Sequence, residues 1–229
     1  MSTLLLRLAA PMQAWGTDSK FDTRATGREP SKSGVIGLLA AALGIRRGDS
    51  SALAALNALR FGVRVDREGG LLHDFHMARS SASSYVTHRY YLCDAVFLCG
   101  LESDDHALLE QYAQALTHPA FPLYLGRRSC PPTLPLCLGI RDISLEEALR
   151  AEPPLVTGTG SMRLVMDAAP EDRTAALIKD VPLSFSPVHR EYTYRKYREQ
   201  ILPGTPQTEP EHDPFALLEV DNVSDEVGT

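Results

Sequence analysis

Basic, aromatic and glycine residues come together at four places in this 229-residue chain. The chemistry open to such groupings is the binding of phosphate and of unstacked bases. The first grouping sets Trp15 and Gly16 ahead of Arg24, Arg28, Ser31, Lys32, Ser33 and Gly34. Here a loop rich in Arg, Lys, Ser and Gly runs into the start of a helix, where unsatisfied backbone N–H groups favour an anion. The same pattern suits an ordinary capped helix with solvated charges, and no Walker spacing decides between the two. Trp15 is open to two readings, a stacking surface for a base or a core anchor.

The second grouping is Tyr124, Leu125, Gly126, Arg127, Arg128, Ser129 and Cys130. Adjacent arginines on an extended chain point in different directions, the glycine permits close backbone approach, and Ser129 adds a hydroxyl. A phosphate-binding turn and a solvated basic turn both fit. The third is His88, Arg89, Tyr90 and Tyr91, where basic and aromatic side chains alternate as single-strand binding needs. At least one of the two tyrosines must face inward on a strand. The fourth spans residues 189–198 and includes Arg190, Tyr192 and Tyr194, equally suited to RNA or to a neighbouring subunit.

Catalysis has weaker support. RNA cleavage without metal uses a histidine or lysine as general base, and His73, His76, His88 and His189 are available, but no spacing demands that role. There is no acidic pair and no nucleophile elbow. The run Thr157, Gly158, Thr159, Gly160 lacks the last glycine of a dinucleotide fingerprint and reads as a loop. Cys93, Cys99, Cys130 and Cys137 form no Cys-x-x-Cys pair, so they read as reduced, buried thiols with no metal site. No cofactor is expected.

The elements that hold these groupings follow from periodicity. Residues 4–10 are a buried strand and residues 11–30 a long loop. Ser31 or Ser33 caps a helix that Gly44 ends, and Ser50 or Ser51 starts a second, through residue 59. Residues 61–65 alternate as a strand, Gly69 and Gly70 mark a turn, and residues 71–77 are a partner strand. Residues 78–87 are poor in large apolar groups and should protrude or be mobile. Then come a strand at 90–99, an amphipathic helix at 104–116, a strand at 134–140, a short helix at 145–150 and weaker strands at 163–167, 183–185 and 191–195. This order is compatible with a ferredoxin-like α+β sandwich carrying an elaborated edge.

Net charge is −6, and its distribution matters more than its sum. Residues 1–141 carry 15 Lys/Arg against 12 Asp/Glu, a balance of +3, while residues 142–229 carry 8 against 17, a balance of −9. Residues 205–229 hold seven acids and no base, the composition of a partly disordered tail. No run of 18 apolar residues predicts a membrane span, and residues 1–7 lack the form of a signal peptide, so a cytoplasmic location is expected.

Taken in order, Leu6 to Gly16, Thr23 to Leu39, Tyr91 to Ala95 and Tyr124 to Pro131 resemble the CasD family of the type I-E CRISPR Cascade complex. The resemblance implies a ferredoxin-like (RRM-like) RAMP palm over residues 1–150, with a protruding thumb at about 74–90. A C-terminal β-rich extension at 151–204 and the acidic tail at 205–229 would follow. It further implies a non-catalytic RNA-binding subunit that caps the backbone filament. Such a subunit holds the 5′ handle of the crRNA, touches the large target-recognition subunit and the adjacent backbone subunit, and lies near target DNA. Relatives in the type I-C subtype process the repeat themselves, which leaves a metal-independent endoribonuclease as the alternative. The residues matched to RNA contact are Trp15, Arg24, Arg28, Ser31, Lys32, Ser33, His88, Arg89, Tyr90, Gly126, Arg127, Arg128 and Ser129.

Overall fold

Strand β1 (Ser2–Ala9) is an almost unbroken apolar run, and in a computed structural model it lies between two neighbouring strands with both faces covered. The structure describes residues 1–16, 22–79, 84–158, 160–186 and 188–203. Leu4, Leu6 and Leu8 enter one core cluster and Leu5 another, as the two-residue period of a strand requires. Two short strands follow, β2 (Met12–Gln13) and β3 (Thr23–Arg24), then helices α1 (Lys32–Ala42) and α2 (Ser50–Asn57) and strand β4 (Arg60–Arg67). Next are β5 (Gly70–Arg79), β6 (Ser84–Cys93), β7 (Val96–Ser103), helix α3 (His106–Thr117), β8 (Cys137–Arg141) and helix α4 (Leu145–Ala151). Strands β9 (Met162–Asp167), β10 (Ala176–Phe185) and β11 (Arg190–Leu202) complete the described elements.

The main sheet has seven strands in the order β10-β11-β9-β4-β7-β1-β8, every neighbouring pair antiparallel. Helices α1, α2 and α3 cover one face through Ile36, Leu39, Leu56, Leu109 and Leu116. Helix α4 covers the other through Leu145 and Leu149. It lies close because Gly62 and Gly100 sit beneath it: a Cβ on Gly100 would stand 2.5 Å from Leu145 Cδ1. The chain is thus a mixed α/β protein, rich in sheet. Among the described residues no helix is long and apolar enough to cross a membrane.

The second sheet is built around β6. Strand β5 pairs along its length, from Gly70 opposite Cys93 to Arg79 opposite Ser84. On the other edge β2 pairs antiparallel and β3 parallel, with Thr23 opposite His88 and Arg24 opposite Arg89. Two expectations change here. Residues 71–77 pair with β6, and the partners of β4 are β7 and β9. The single strand expected at 90–99 is two strands, because Asp94 adopts φ +57 and its N–H donates to the Pro11 carbonyl, carrying the chain from one sheet to the other. Phe75, Met77 and Tyr85 are exposed on the β5–β6 hairpin, in keeping with a segment that has little core to offer. Residues 80–83 and the acidic tail lie outside the described residues.

Caps follow side-chain chemistry. Ser31 caps α1, and Ser144 forms a capping box with Glu147 at α4. Asp49, rather than Ser50 or Ser51, caps α2 by accepting from the Ala52 N–H. The strands expected at 183–185 and 191–195 are parts of the longer β10 and β11.

Candidate nucleic-acid interface

Three of the four groupings meet at one end of the small sheet. The loop after β2 is fixed by Trp15, whose N–H donates to Thr26 Oγ1 at 2.9 Å and whose carbonyl accepts from Gly27 at 2.6 Å. The turn at residues 124–130 packs directly on that loop. Gly126 there has φ +85, and a Cβ on it would stand 1.7 Å from the Ala14 carbonyl oxygen, so only glycine fits. Arg127 then reaches across, and its Nη2 donates to the Arg24 carbonyl at 2.8 Å while its guanidinium lies 4.5 Å over the Tyr91 ring. Pairing of β3 with β6 sets Arg24 beside Arg89.

These contacts shape an open chamber of about 650 Å³. Arg24 and Arg127 face it from one side, Lys179, Arg190 and Tyr192 from the β10–β11 hairpin on the other, and Ser31 and Ser33 from the start of α1. Nη1 of Arg127 is buried and has no hydrogen-bond partner among the described residues. Burial pushes the Tyr91 phenol up, but hydrogen bonding from Arg127 and Ser129 more than offsets it, so its pKa lies below the ordinary value. The chamber thus gathers four cations and several hydroxyl groups, with Asp180 the one carboxylate on its wall among the described residues, an arrangement suited to the phosphates of a nucleic-acid strand.

The structure separates the remaining candidates. Trp15 is 1% exposed, its Nε1 donates to Gln13 Oε1 at 3.1 Å, and its ring lies under Gly34, so it is a core anchor at the chamber's edge. Lys32 points inward: its Nζ donates to Asp167 at 2.9 Å and to the Leu59 carbonyl at 2.8 Å. Arg28 Nη2 donates to both carboxylate oxygens of Glu68, at 2.8 and 2.9 Å, and Arg28 does not line the chamber. Glu68 also pairs with Arg163, which holds Glu29 at 3.0 Å and so ties the loop to β9. Arg128 and Ser129 are exposed beyond the chamber, with Ser129 beside Tyr91 and Cys130.

His88 and Tyr90 belong to a ladder on the hairpin. The His73 ring stacks on Tyr90 at 4.7 Å and on His88 at 5.1 Å, and His73 Nε2 lies 2.9 Å from His88 Nδ1. Arg89 faces Asp74 across the strands. This ladder runs outward from the chamber, on the strand that carries Arg89 next to β3.

Sequence reasoning missed Lys179 and Phe185 as walls of the chamber. The signal was there in a Lys-Asp-Val-Pro-Leu-Ser-Phe alternation at 179–185, of which only residues 183–185 read as a strand. Arg190 and Tyr192 were in the fourth grouping, but their place opposite Arg24 needed the antiparallel return of β11. Among the described residues no cluster of three or more His, Cys, Asp or Glu side chains is placed to hold a metal ion.

Fold and chamber together define a sheet-rich α/β protein with a cationic groove at the junction of two sheets. Comparison with known proteins is specific about its kin. The model of the family described as CRISPR-associated protein (Cas_Cas5) matches residues 3–198, and the chain belongs to this Cas5 family. It is 43% identical over 158 residues to the protein named CRISPR system Cascade subunit CasD from Escherichia coli (strain K12), covering 60% of this chain and 70% of that one. A solved structure described as a CRISPR RNA-guided surveillance complex contains a chain that superposes with a TM-score of 0.72 at 35% identity, covering 88% of this chain and 89% of that one. Another, described as the crystal structure of a Cas protein, gives 0.70 at 42% identity, covering 88% and 95%.

Proposed function

We propose that this chain is a non-catalytic subunit of a type I-E Cascade complex and that it holds the 5′ handle of the crRNA. The observation that carries the reading is the convergence of Arg24, Arg127, Lys179 and Arg190 on one chamber, from segments far apart in the chain. The relative named as a Cascade subunit supports the assembly. The strands β4-β7-β1-β8, joined by helical crossovers through α1–α2 and α3, have the order of a ferredoxin-like sandwich. On this reading they are the RAMP palm, the β5–β6 hairpin is the thumb, and β9 to β11 are the extension. The subunit caps the backbone filament and contacts the backbone and large target-recognition subunits, with target DNA nearby in the assembly.

The test is direct. The protein, purified with its complex, is expected to carry RNA with a uniform 5′ end that crosslinks to the segments around Arg24 and Arg127. Repeat RNA mixed with the isolated chain without divalent metal is expected to stay intact. Specific cleavage abolished by one substitution, His73→Ala or His88→Ala, would make the chain an endoribonuclease instead. No crosslink at either segment would leave only a protein scaffold.

A further inference from the structure

The chamber continues past Phe185. A second chamber of about 480 Å³ opens there, sharing Phe185, Arg190, Tyr192 and Gly126 with the first. Its chemistry differs. Phe121, Tyr124, Phe185 and Tyr192 give it aromatic walls, and Arg46 and Arg47 stand at its rim. Phe121 is 48% exposed, a large apolar ring left open to solvent. The floor at Gly37 of α1 is bare backbone, and a Cβ there would meet only Phe185, at 3.6 Å.

We propose that this second chamber takes one unstacked nucleobase of the RNA strand whose phosphates lie in the first. The inference rests on the RNA reading above and goes beyond it by naming a base slot. Three observations carry it. The two chambers share walls, so one strand threads both. Cations flank the aromatic segment on both sides, Arg24 and Arg127 before it and Arg46 and Arg47 after it, which is the alternation of phosphate, base and phosphate along a strand. The walls contain no Asn or Gln, and the one carboxylate, Asp49, is committed to capping α2. The aromatic walls therefore grip the flat face of a base by stacking.

The experiment uses the full chain and a single-stranded RNA matching the repeat-derived 5′ end, with one position at a time replaced by an abasic ribose. One position is expected to weaken binding by about tenfold or more, while exchange of one base for another there matters less. Phe121→Ala is expected to weaken intact RNA by a similar factor and to remove the effect of that abasic position, and Phe121→Tyr to restore it. The abasic series on the natural chain keeps the test open if Phe121→Ala fails to fold. If every abasic RNA binds like the intact one while Arg24→Ala still weakens binding, the slot is wrong and the RNA reading stands. If Phe121→Ala impairs assembly with other subunits and leaves RNA affinity alone, the chamber seats a protein side chain and the slot is wrong. If neither abasic positions nor Arg24→Ala and Arg127→Ala matter, both readings fall.

Discussion

The Asp180 carboxylate accepts a hydrogen bond from the Lys32 backbone N–H at 2.8 Å, so the first turn of α1 already holds an anion supplied by β10. Arg195 clasps the same carboxylate at 2.7 and 2.9 Å and reaches Asp167 at 2.9 Å, and Asp167 takes the Lys32 ammonium. Two cations and two anions thus balance in a largely buried knot that ties α1 to the β10–β11 hairpin. On the proposed function, the phosphate-binding work of the chamber would fall to side-chain cations and not to the helix terminus. Asp180→Ala leaves Arg195 short of a partner and the helix start uncapped by charge. It is expected to cost about 3–5 kcal/mol of unfolding free energy, read from urea denaturation. A loss under about 1 kcal/mol would mean that the knot adds no net stability.

Arg127 and Arg128 are neighbours with different surroundings. Arg127 lines the chamber, stacks on Tyr91 and holds the Arg24 carbonyl, whereas Arg128 is exposed outside it. Arg127→Ala is expected to reduce affinity for handle RNA by about 1–3 kcal/mol and to flatten the dependence on salt. Arg128→Ala is expected to cost less. Filter binding over a salt series measures both, and equal losses would place the phosphate outside the chamber.

Trp15 is a stability residue on this geometry. Trp15→Ala is expected to destabilise the chain by about 3–5 kcal/mol, from lost burial and the cavity beneath Gly34. Trp15→Phe keeps most of the volume but strands Gln13 Oε1, which now accepts from the indole. A loss of about 1–3 kcal/mol is expected there, since a buried acceptor is left unpaired. Thermal melts order the two variants. A Trp15→Ala chain that melts like the natural one and binds RNA poorly would restore the stacking role.

Much of this molecule is legible in the order of its residues. The apolar run of β1 and the serine that caps α1 can each be read locally, because each is decided within a few residues. Lys32 could not be read this way. Its charge looked available to phosphate, but its partner Asp167 lies 135 residues away, and the Asp180 that fills the helix start lies 148 away. The chamber's far wall was hidden for the same reason, since Lys179 and Arg190 reach Arg24 only once β10 and β11 fold back against α1.

Glu68 links the loop to the main sheet, and its behaviour with pH is a last check. The Arg28 hydrogen bond is the main force holding its carboxyl below the ordinary value, burial opposes it, and Arg163 assists. A carboxyl depressed in the folded chain binds its proton more readily when unfolded. Its contribution is therefore full above the ordinary glutamate pKa of about 4.3 and is lost as pH falls through the lower folded value. Glu68 is about half exposed, so Glu68→Gln is expected to cost about 1 kcal/mol or less at pH 7. The gap between Glu68→Gln and the natural chain is expected to persist at about pH 5 and to close as pH falls through the lower folded value of Glu68, below which both carry a neutral side chain. Urea unfolding at constant ionic strength measures that gap. A gap that widens on acidification would mean that Glu68 is held protonated, against the pairing with Arg28 and Arg163 seen here.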